Sequence, residues 1–350
     1  MRLLPTRDGW RLVKILLVKL SSLGDVVHTL PVVQDLHAVM PHAQIDWVVE
    51  KSFAPLLSKC AGLHRVIACE IRRWRKAPFS AATRREWRAF RMDLQSEAYD
   101  AVIDLQGLSK SALVAWLARC APGGKRYAMA NQTEGSGYEA PTRWVADVAI
   151  RLEAHIHAVQ RSRELVAHSL DYAFAQVPDF GLKVPAAQAE KAQPAIKCIA
   201  DKNTVALVHG TSRADKEWPL GHWVEVGMRL IAAGYNVALL HGNAGELVTS
   251  QAIASALASP DATVWPRLPL DALTDRLAQC AGVIGVDSGV SHLAVALDLP
   301  HVQLYNFDTA WRTGPDAYRR AGRQVSVFAH PAPAVAAVWQ AWLDCQRTAP

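Results

Sequence analysis

Apolar and polar positions along the chain fall into two alternating series. In the first, Lys14–Lys19 (KILLVK), Gln44–Glu50 (QIDWVVE), Arg65–Cys69 and Asp100–Leu105 (DAVIDL) are short apolar runs that predict buried strands. Between them, Gly24–Met40, Ala54–Lys59, Ala81–Glu97 and Ser109–Arg119 carry helical periodicity, with Pro41 as the stop for the first. The pattern restarts after residue 200. Strands are predicted at Thr204–Val208, Asn236–Leu240, Gly282–Val286 and His301–Tyr305, and helices at Gly221–Ala233, Glu246–Leu257, Leu270–Cys280 and Ser291–Leu297. Strands alternating with helices imply parallel sheets covered on both faces. The join is expected near Val177–Ala200, where Pro178, Pro185 and Pro194 interrupt the apolar pattern. This gives an α/β chain with domains over residues 13–180 and 200–330. A last helix, Ala334–Trp342, follows Pro331 and Pro333 within residues 331–350 and could pack on either half, including back on the first. Two similar halves suggest a cleft, with ligands at the carboxyl ends of strands.

Composition narrows the class. Of 350 residues, 51% are hydrophobic and 20% charged, a globular balance that excludes a disordered or collagen-like chain and suits two domains. No apolar run approaches the roughly 18 residues of a membrane span. Met1–Lys14 has charges but no apolar core and reads as a short leader, not a secretory signal. The six cysteines are far apart and form no C-x-x-C pair, which fits reduced thiols in a cytosolic protein without a zinc site or disulfide framework. A net charge of +6 admits an anionic partner, but 32 acidic residues do not argue for nucleic acid.

Candidate chemistry sits where strands run into helices. After the first strand comes Lys19-Leu20-Ser21-Ser22-Leu23-Gly24-Asp25-Val26-Val27-His28-Thr29. It lacks G-x-G-x-x-G, and Walker A is absent from the chain. Asp25 is either a general base or a helix cap. The second series opens likewise, with Thr211, Ser212 and Lys216 in a loop suited to a diphosphate, unless Lys216 merely faces water. Val286-Asp287-Ser288-Gly289-Val290-Ser291-His292 opens a helix whose N–H groups attract an anion. There Asp287 would meet sugar hydroxyls or cap the helix, and His292 would line the loop or serve structure. Glu246 is a ribose-binding acid or an ordinary first-turn glutamate. Finally, Arg72, Arg73, Arg75, Lys76, Arg84, Arg85, Arg88 and Arg91 place eight positive charges in twenty positions against one acid, Glu86. That density points to an anionic substrate, a phospholipid surface or RNA, unless it is a solvated face. RNA is disfavoured because no RNP-like aromatic motif accompanies it.

Taken together, K-x-S-S-x-G-D-V-x-H-T-L-P (Lys19–Pro31), I-R-R-W-R-K-A (Ile71–Ala77), D-A-V-I-D-x-Q-G-L-x-K-S (Asp100–Ser111), T-S-R-A-D-K-x-W-P (Thr211–Pro219) and V-D-S-G-V-S-H-L (Val286–Leu293) resemble the lipopolysaccharide heptosyltransferases over about residues 13–345. The resemblance implies the GT-B fold, two Rossmann-like domains facing each other across a cleft. It also implies inverting transfer of L-glycero-D-manno-heptose from ADP-heptose to the Kdo of Kdo-lipid A. By the same resemblance Asp25 is the base and Lys216 a catalytic, phosphate-binding cation. Thr211, Ser212, Lys216, Glu246, Asp287, Ser288, Gly289 and His292 would hold the donor; Lys19, Ser21, Ser22, Gly24, Arg72, Arg73 and Arg75 would hold the acceptor. Asn131–Ala149 departs from the family's pattern, so no acceptor arginine is assigned there beyond Arg143 as a guess.

No cofactor or metal is expected, since no Asp-x-Asp of the metal-binding type occurs in these loops and Lys216 with the helix at Ser288–Gly289 can take the leaving-group charge. The expected setting is the cytoplasmic face of an anionic inner membrane; oligomeric state is not assigned. Three rivals stand beside this reading. They are transfer to the first heptose instead of Kdo, a sugar-nucleotide epimerase on the same fold, and a non-catalytic two-lobed sugar-binding protein.

Overall fold

The computed structural model describes residues 12–184, 203–315 and 322–347. Most of the leader, the linker prolines Pro185 and Pro194, and Cys198 lie outside the described residues. The chain divides into two compact units, the first ending at Gly181 and the second beginning at Leu182.

The first unit holds β1 (Lys14–Val18), β2 (Gln44–Glu50), β3 (Arg65–Cys69), β4 (Ala98–Asp104), β5 (Arg119–Met129) and β6 (Val148–Ile150). They form one parallel sheet in the order β3-β2-β1-β4-β5-β6. The second unit holds β7 (Thr204–Val208), β8 (Asn236–Leu239), β9 (Ala262–Val264), β10 (Gly282–Val286), β11 (His301–Tyr305) and β12 (Gln324–Phe328). Its parallel sheet runs β12-β11-β10-β7-β8-β9, the same topology repeated. Strands β1 and β7 are apolar after their first residue because both faces are covered: Ile15, Leu16, Leu17 and Val18 have no exposed surface, nor do Val205, Ala206 and Leu207. In each sheet the strand order reverses between its first and fourth strands, β1 and β4 or β7 and β10. Loops leaving those two strands diverge and open a ligand position at their carboxyl ends.

Several local outcomes differ from the sequence expectations. Gly24–Met40 is not one helix. Leu23–Thr29 ends at Leu30, and Pro31 begins a new helix, Pro31–Val39. Proline has no N–H to continue the first helix but suits the first position of the second. Helix Ala158–Leu170 was not foreseen, because its buried positions include Arg161, Ser162, Arg163 and Ser169, which blur an apolar stripe. Arg163 donates to both carboxylate oxygens of Asp35 at 2.7 and 2.8 Å. Strand β5 was also missed. Its sequence RCAPGGKRYAM has no strand signature, and a register shift between Tyr99 and Ala101 accommodates it against β4.

The C-terminal helix, Val335–Arg347, which the sequence left open between the halves, packs on β11, β12 and helix Leu220–Ala232 of its own unit. Val338, Trp342 and Cys345 are fully buried there within the second unit's core. Gly282 makes room for the indole, since a Cβ there would stand 2.7 Å from Trp342.

Candidate active site

At the carboxyl end of β1 the chain turns through Ser21 and Ser22 into helix Leu23–Thr29. Ser22 is the N-cap and Asp25 the N3 residue of a capping box, in which Asp25 Oδ2 accepts from Ser22 N at 3.0 Å and from Ser22 Oγ at 2.9 Å. The capping contacts are therefore present, and they use only one of the two carboxylate oxygens. The other oxygen, Oδ1, lies 3.5 Å from Lys19 Nζ and 3.6 Å from an Arg161 guanidinium nitrogen. Burial favours the neutral acid, but the charges of Lys19 and Arg161 and the Ser22 N–H prevail and hold the carboxyl below the usual aspartate range. Asp25 nevertheless keeps a third of its side chain exposed, at 34%.

Lys19 is itself buried and donates to Leu105 O at 2.9 Å. Burial draws its ammonium below the usual lysine value, against the pull of Asp25. The loop after β4 braces this arrangement: Gln106 Oε1 accepts from Leu20 N at 2.9 Å and Ser21 N at 3.0 Å. Beneath it, Asp104 accepts from Gln106 N, Gly107 N and Ser111 Oγ. Burial pushes the Asp104 carboxyl up to about 6 despite those donors. Beside Asp25, Ser21 Oγ accepts from Arg72 and from Lys110 Nζ, each at 2.9 Å. Two cations converging on one hydroxyl oxygen leave donors and charge over for an anionic ligand.

In the second unit, the loop after β7 carries the short 3₁₀ turn Ala214–Lys216, and Lys216 Nζ donates to Asp287 Oδ2. Asp287 directly follows β10. Its Oδ1 lies 3.3 Å from His292 Nε2 and accepts from Thr313 Oγ1 at 3.2 Å. Burial opposes the charge on Asp287, but His292 and Lys216 outweigh it and keep the carboxylate ionised. Gln303 Nε2 donates to His292 Nδ1 at 3.4 Å, which leaves the Nε2 proton directed at Asp287. Ser288 is the N-cap of helix Gly289–Ala296, so the helix start faces the same position. Asn306 fastens the Lys216 turn by donating to Asp215 O at 3.1 Å and Glu217 O at 2.9 Å. Further along, Glu246 accepts from Gly242 N at 2.6 Å and Asn243 Nδ2 at 2.7 Å. Gly210 lies against that carboxyl, where a Cβ would come 2.6 Å from Glu246 Cδ.

Placement of the sequence-predicted residues is uneven. Asp25, Ser21, Ser22, Lys19 and Arg72 form one group, with Gly24 in the helix turn between Ser22 and Asp25. Lys216, Asp287, Ser288, Gly289 and His292 form another. Thr211 and Ser212 occupy the loop before Lys216, with Ser212 exposed. Arg73 does not join Arg72. It donates to Glu70 Oε1 at 3.0 Å and also reaches Glu86, on the far side of the short helix Ile71–Trp74. Arg75 is exposed beyond that helix. Sequence reasoning missed Arg161 and Lys110. Lys110 stood in the quoted D-x-Q-G-L-x-K-S stretch, whereas Arg161 had no local signal and reaches Asp25 across 136 residues only because helix Ala158–Leu170 packs on Leu23–Thr29.

Comparison with known proteins defines the class. The profile of glycosyltransferase family 9 (heptosyltransferase) matches residues 87–337. The solved structure described as E. coli heptosyltransferase WaaC with ADP superposes with a TM-score of 0.79 at 32% identity, over 94% of this chain and 98% of that one. WaaC with ADP-2-deoxy-2-fluoro heptose gives 0.76 at 34% identity over the same shares. The fold is thus that of the GT-B glycosyltransferases, an α/β class with two Rossmann-like sheets. Lipopolysaccharide heptosyltransferase 1 of Escherichia coli K12 is 39% identical over 83% of this chain and 87% of its own length. Lipopolysaccharide heptosyltransferase 2 of the same strain is 26% identical over 83% and 82%. The chain belongs to glycosyltransferase family 9, the heptosyltransferases.

Proposed function

We propose that this enzyme transfers L-glycero-D-manno-heptose from ADP-heptose to the Kdo of Kdo-lipid A, with inversion at the anomeric carbon, in lipopolysaccharide inner-core synthesis. The observation that carries the mechanism is Asp25, a partly exposed carboxylate held ionised by Lys19 and Arg161. Its sequence setting supports the acceptor, because heptosyltransferase 1 matches at 39% where heptosyltransferase 2 matches at 26%.

In this reading the acceptor hydroxyl gives its proton to Asp25 as its oxygen bonds to the anomeric carbon. The bond from that carbon to the β-phosphate oxygen breaks, and the electron pair leaves on ADP. A strongly acidic aspartate is a weak base at rest. The acceptor's carboxylates, arriving beside Lys19, Arg161, Arg72 and Lys110, compete for those cations and raise the proton affinity of Asp25. Proton transfer late in bond formation does the rest, since the hydroxyl becomes acidic as the new bond forms. On the donor side the diphosphate draws Lys216 from Asp287, and Thr211, Ser212 and the helix start at Ser288–Gly289 add donors. Asp287, still held by His292, then meets heptose hydroxyls, and Glu246 takes the ribose. Charge on departing ADP is met by Lys216 and the helix start, so transfer is expected to persist in excess chelator. The acceptor being a lipid, the setting is the cytoplasmic face of the inner membrane. Among the described residues no helix is long and apolar enough to cross a membrane.

The test is ADP release from purified protein with ADP-heptose and Kdo-lipid A, each omitted in turn. Release should need both substrates, and Kdo-lipid A already carrying one heptose should not substitute. Asp25→Ala should abolish release while ADP affinity stays within a few-fold. Full activity in that variant, or release without acceptor, would remove the proposal.

A further inference from the structure

We infer that one helical face of the first unit is a docking surface for an anionic lipid bilayer. Three helices, Ala81–Leu94, Ser109–Leu117 and Pro141–Val145, pack on a common core that includes Phe90, Leu94, Val114 and Ala115, with Val145 against it. Their outward sides are unusual. Phe79, just before the first helix, is 87% exposed, Trp144 74%, Met92 69% and Trp116 61%; among the other large hydrophobic side chains described, only Val248 at 66% is comparable. An ordinary soluble surface scatters such side chains singly.

Charge completes the pattern. Helix Ala81–Leu94 buries Thr83, Phe90 and Leu94, and turns Arg85, Arg88 and Met92 to the opposite side, spaced three and four residues apart. Arg84 and Arg91 flank that line. The helix's two acids are both committed inside the unit, Glu86 to Arg73 and Trp74, and Asp93 to Arg65 at 3.3 Å. The four arginines are exposed and make no ion pair among the described residues. A structural charge network would have spent these cations on the acids beside them. Unpaired arginines around exposed Met, Phe and Trp side chains are what an anionic headgroup layer accommodates: the guanidinium groups meet lipid phosphates and the apolar groups enter the acyl boundary, where tryptophan is at home. RNA would account for the arginines but not for Met92 and Phe79. The inference takes its purpose from the lipid acceptor proposed above, yet it rests on this surface alone.

Vesicle binding by the full chain, measured without either substrate, tests it independently of the transferred sugar. Vesicles of phosphatidylethanolamine with about one-third phosphatidylglycerol should sediment the protein at about 0.15 M salt, and neutral phosphatidylcholine vesicles should not. Replacing Arg84, Arg85, Arg88 and Arg91 by Ser should cut the vesicle-bound fraction about tenfold, and replacing all four by Lys should largely keep it, which separates loss of charge from misfolding. Replacing Phe79, Met92, Trp116 and Trp144 by Ser should weaken the binding that survives in high salt. Absence of anionic-vesicle binding, undiminished binding by either Ser variant, or tighter binding of the wild type to RNA than to vesicles would overturn the inference.

Discussion

Asp104 shows how much a single side chain beneath the site matters. Its folded carboxyl titrates near 6, whereas an aspartate in an unfolded chain titrates near about 4. Between those values the folded state binds more protons, so this contribution to stability is present below pH ~4 and is lost as pH rises through about 6. Asp104→Asn can keep the Gln106 and Gly107 bonds and donate to Ser111 Oγ, whose single proton then turns from residue 104 to Leu108 O at 2.7 Å. The melting temperature of the variant relative to wild type should therefore rise between pH 4.5 and 7.5; an unchanged difference across that range would contradict the assignment. Asn306 is a positioning residue of a different kind within the proposed donor site, holding the carbonyls either side of Lys216. Asn306→Ala should raise the ADP-heptose KM roughly five- to tenfold for two lost hydrogen bonds. Asn306→Asp should be worse, because its oxygens would face those carbonyls. Equal KM values in wild type and both variants would leave Asn306 without this role.

Short segments decide which charges reach the site. The turn of helix Ile71–Trp74 sends Arg72 to Ser21 and Arg73 to Glu70 and Glu86, so adjacent arginines have separate duties. Arg72→Ala should raise the acceptor KM about tenfold or more, as loss of a charge-assisted contact does. Arg73→Ala should leave that KM near the wild-type value and lower thermal stability instead; matching KM effects would show that both serve the acceptor. Strand β10 depends on a close approach to its neighbours. A Cβ on Gly285 would stand 2.4 Å from Ser291 Oγ and 2.9 Å from Val208 Cβ. Gly285→Ala should cost about 1–3 kcal/mol in thermal or denaturant unfolding, as overpacking of a core does. A variant as stable as wild type would mean that β7 and the Ser291 helix can part at little cost.

Across the whole chain, one strand order occurs in both units, and in each the charged group sits where that order reverses. Asp25 with its cations belongs to the β1–β4 reversal, and Lys216 with Asp287 to the β7–β10 reversal. Ligand effects should divide the same way. ADP should slow amide exchange in 209–219, 242–246 and 287–292 while the loops after β1 and β4 exchange as before. Protection by ADP confined to the first unit would reverse the donor and acceptor assignments.

Periodicity and punctuation carried much of this. Runs such as QIDWVVE and GVIGV, alternating with helical stretches, predict buried strands in a parallel sheet, and β2, β3, β7, β10 and β11 begin and end where those runs do. Asp25, Lys216 and Asp287 were visible as polar residues where such strands run into loops and helices. Other features are properties of packing alone. Arg161 meets Asp25 through a helix whose buried polar residues hide its periodicity, and β5 is a strand because β4 offers it hydrogen bonds. The side of a helix on which Arg73 falls, the unit that Trp342 seals, and the cations that keep Asp25 ionised depend on distances between residues far apart in sequence. Local sequence encodes hydrophobic period and turn chemistry, whereas burial and Coulomb interactions are set only once the chain has brought those residues together.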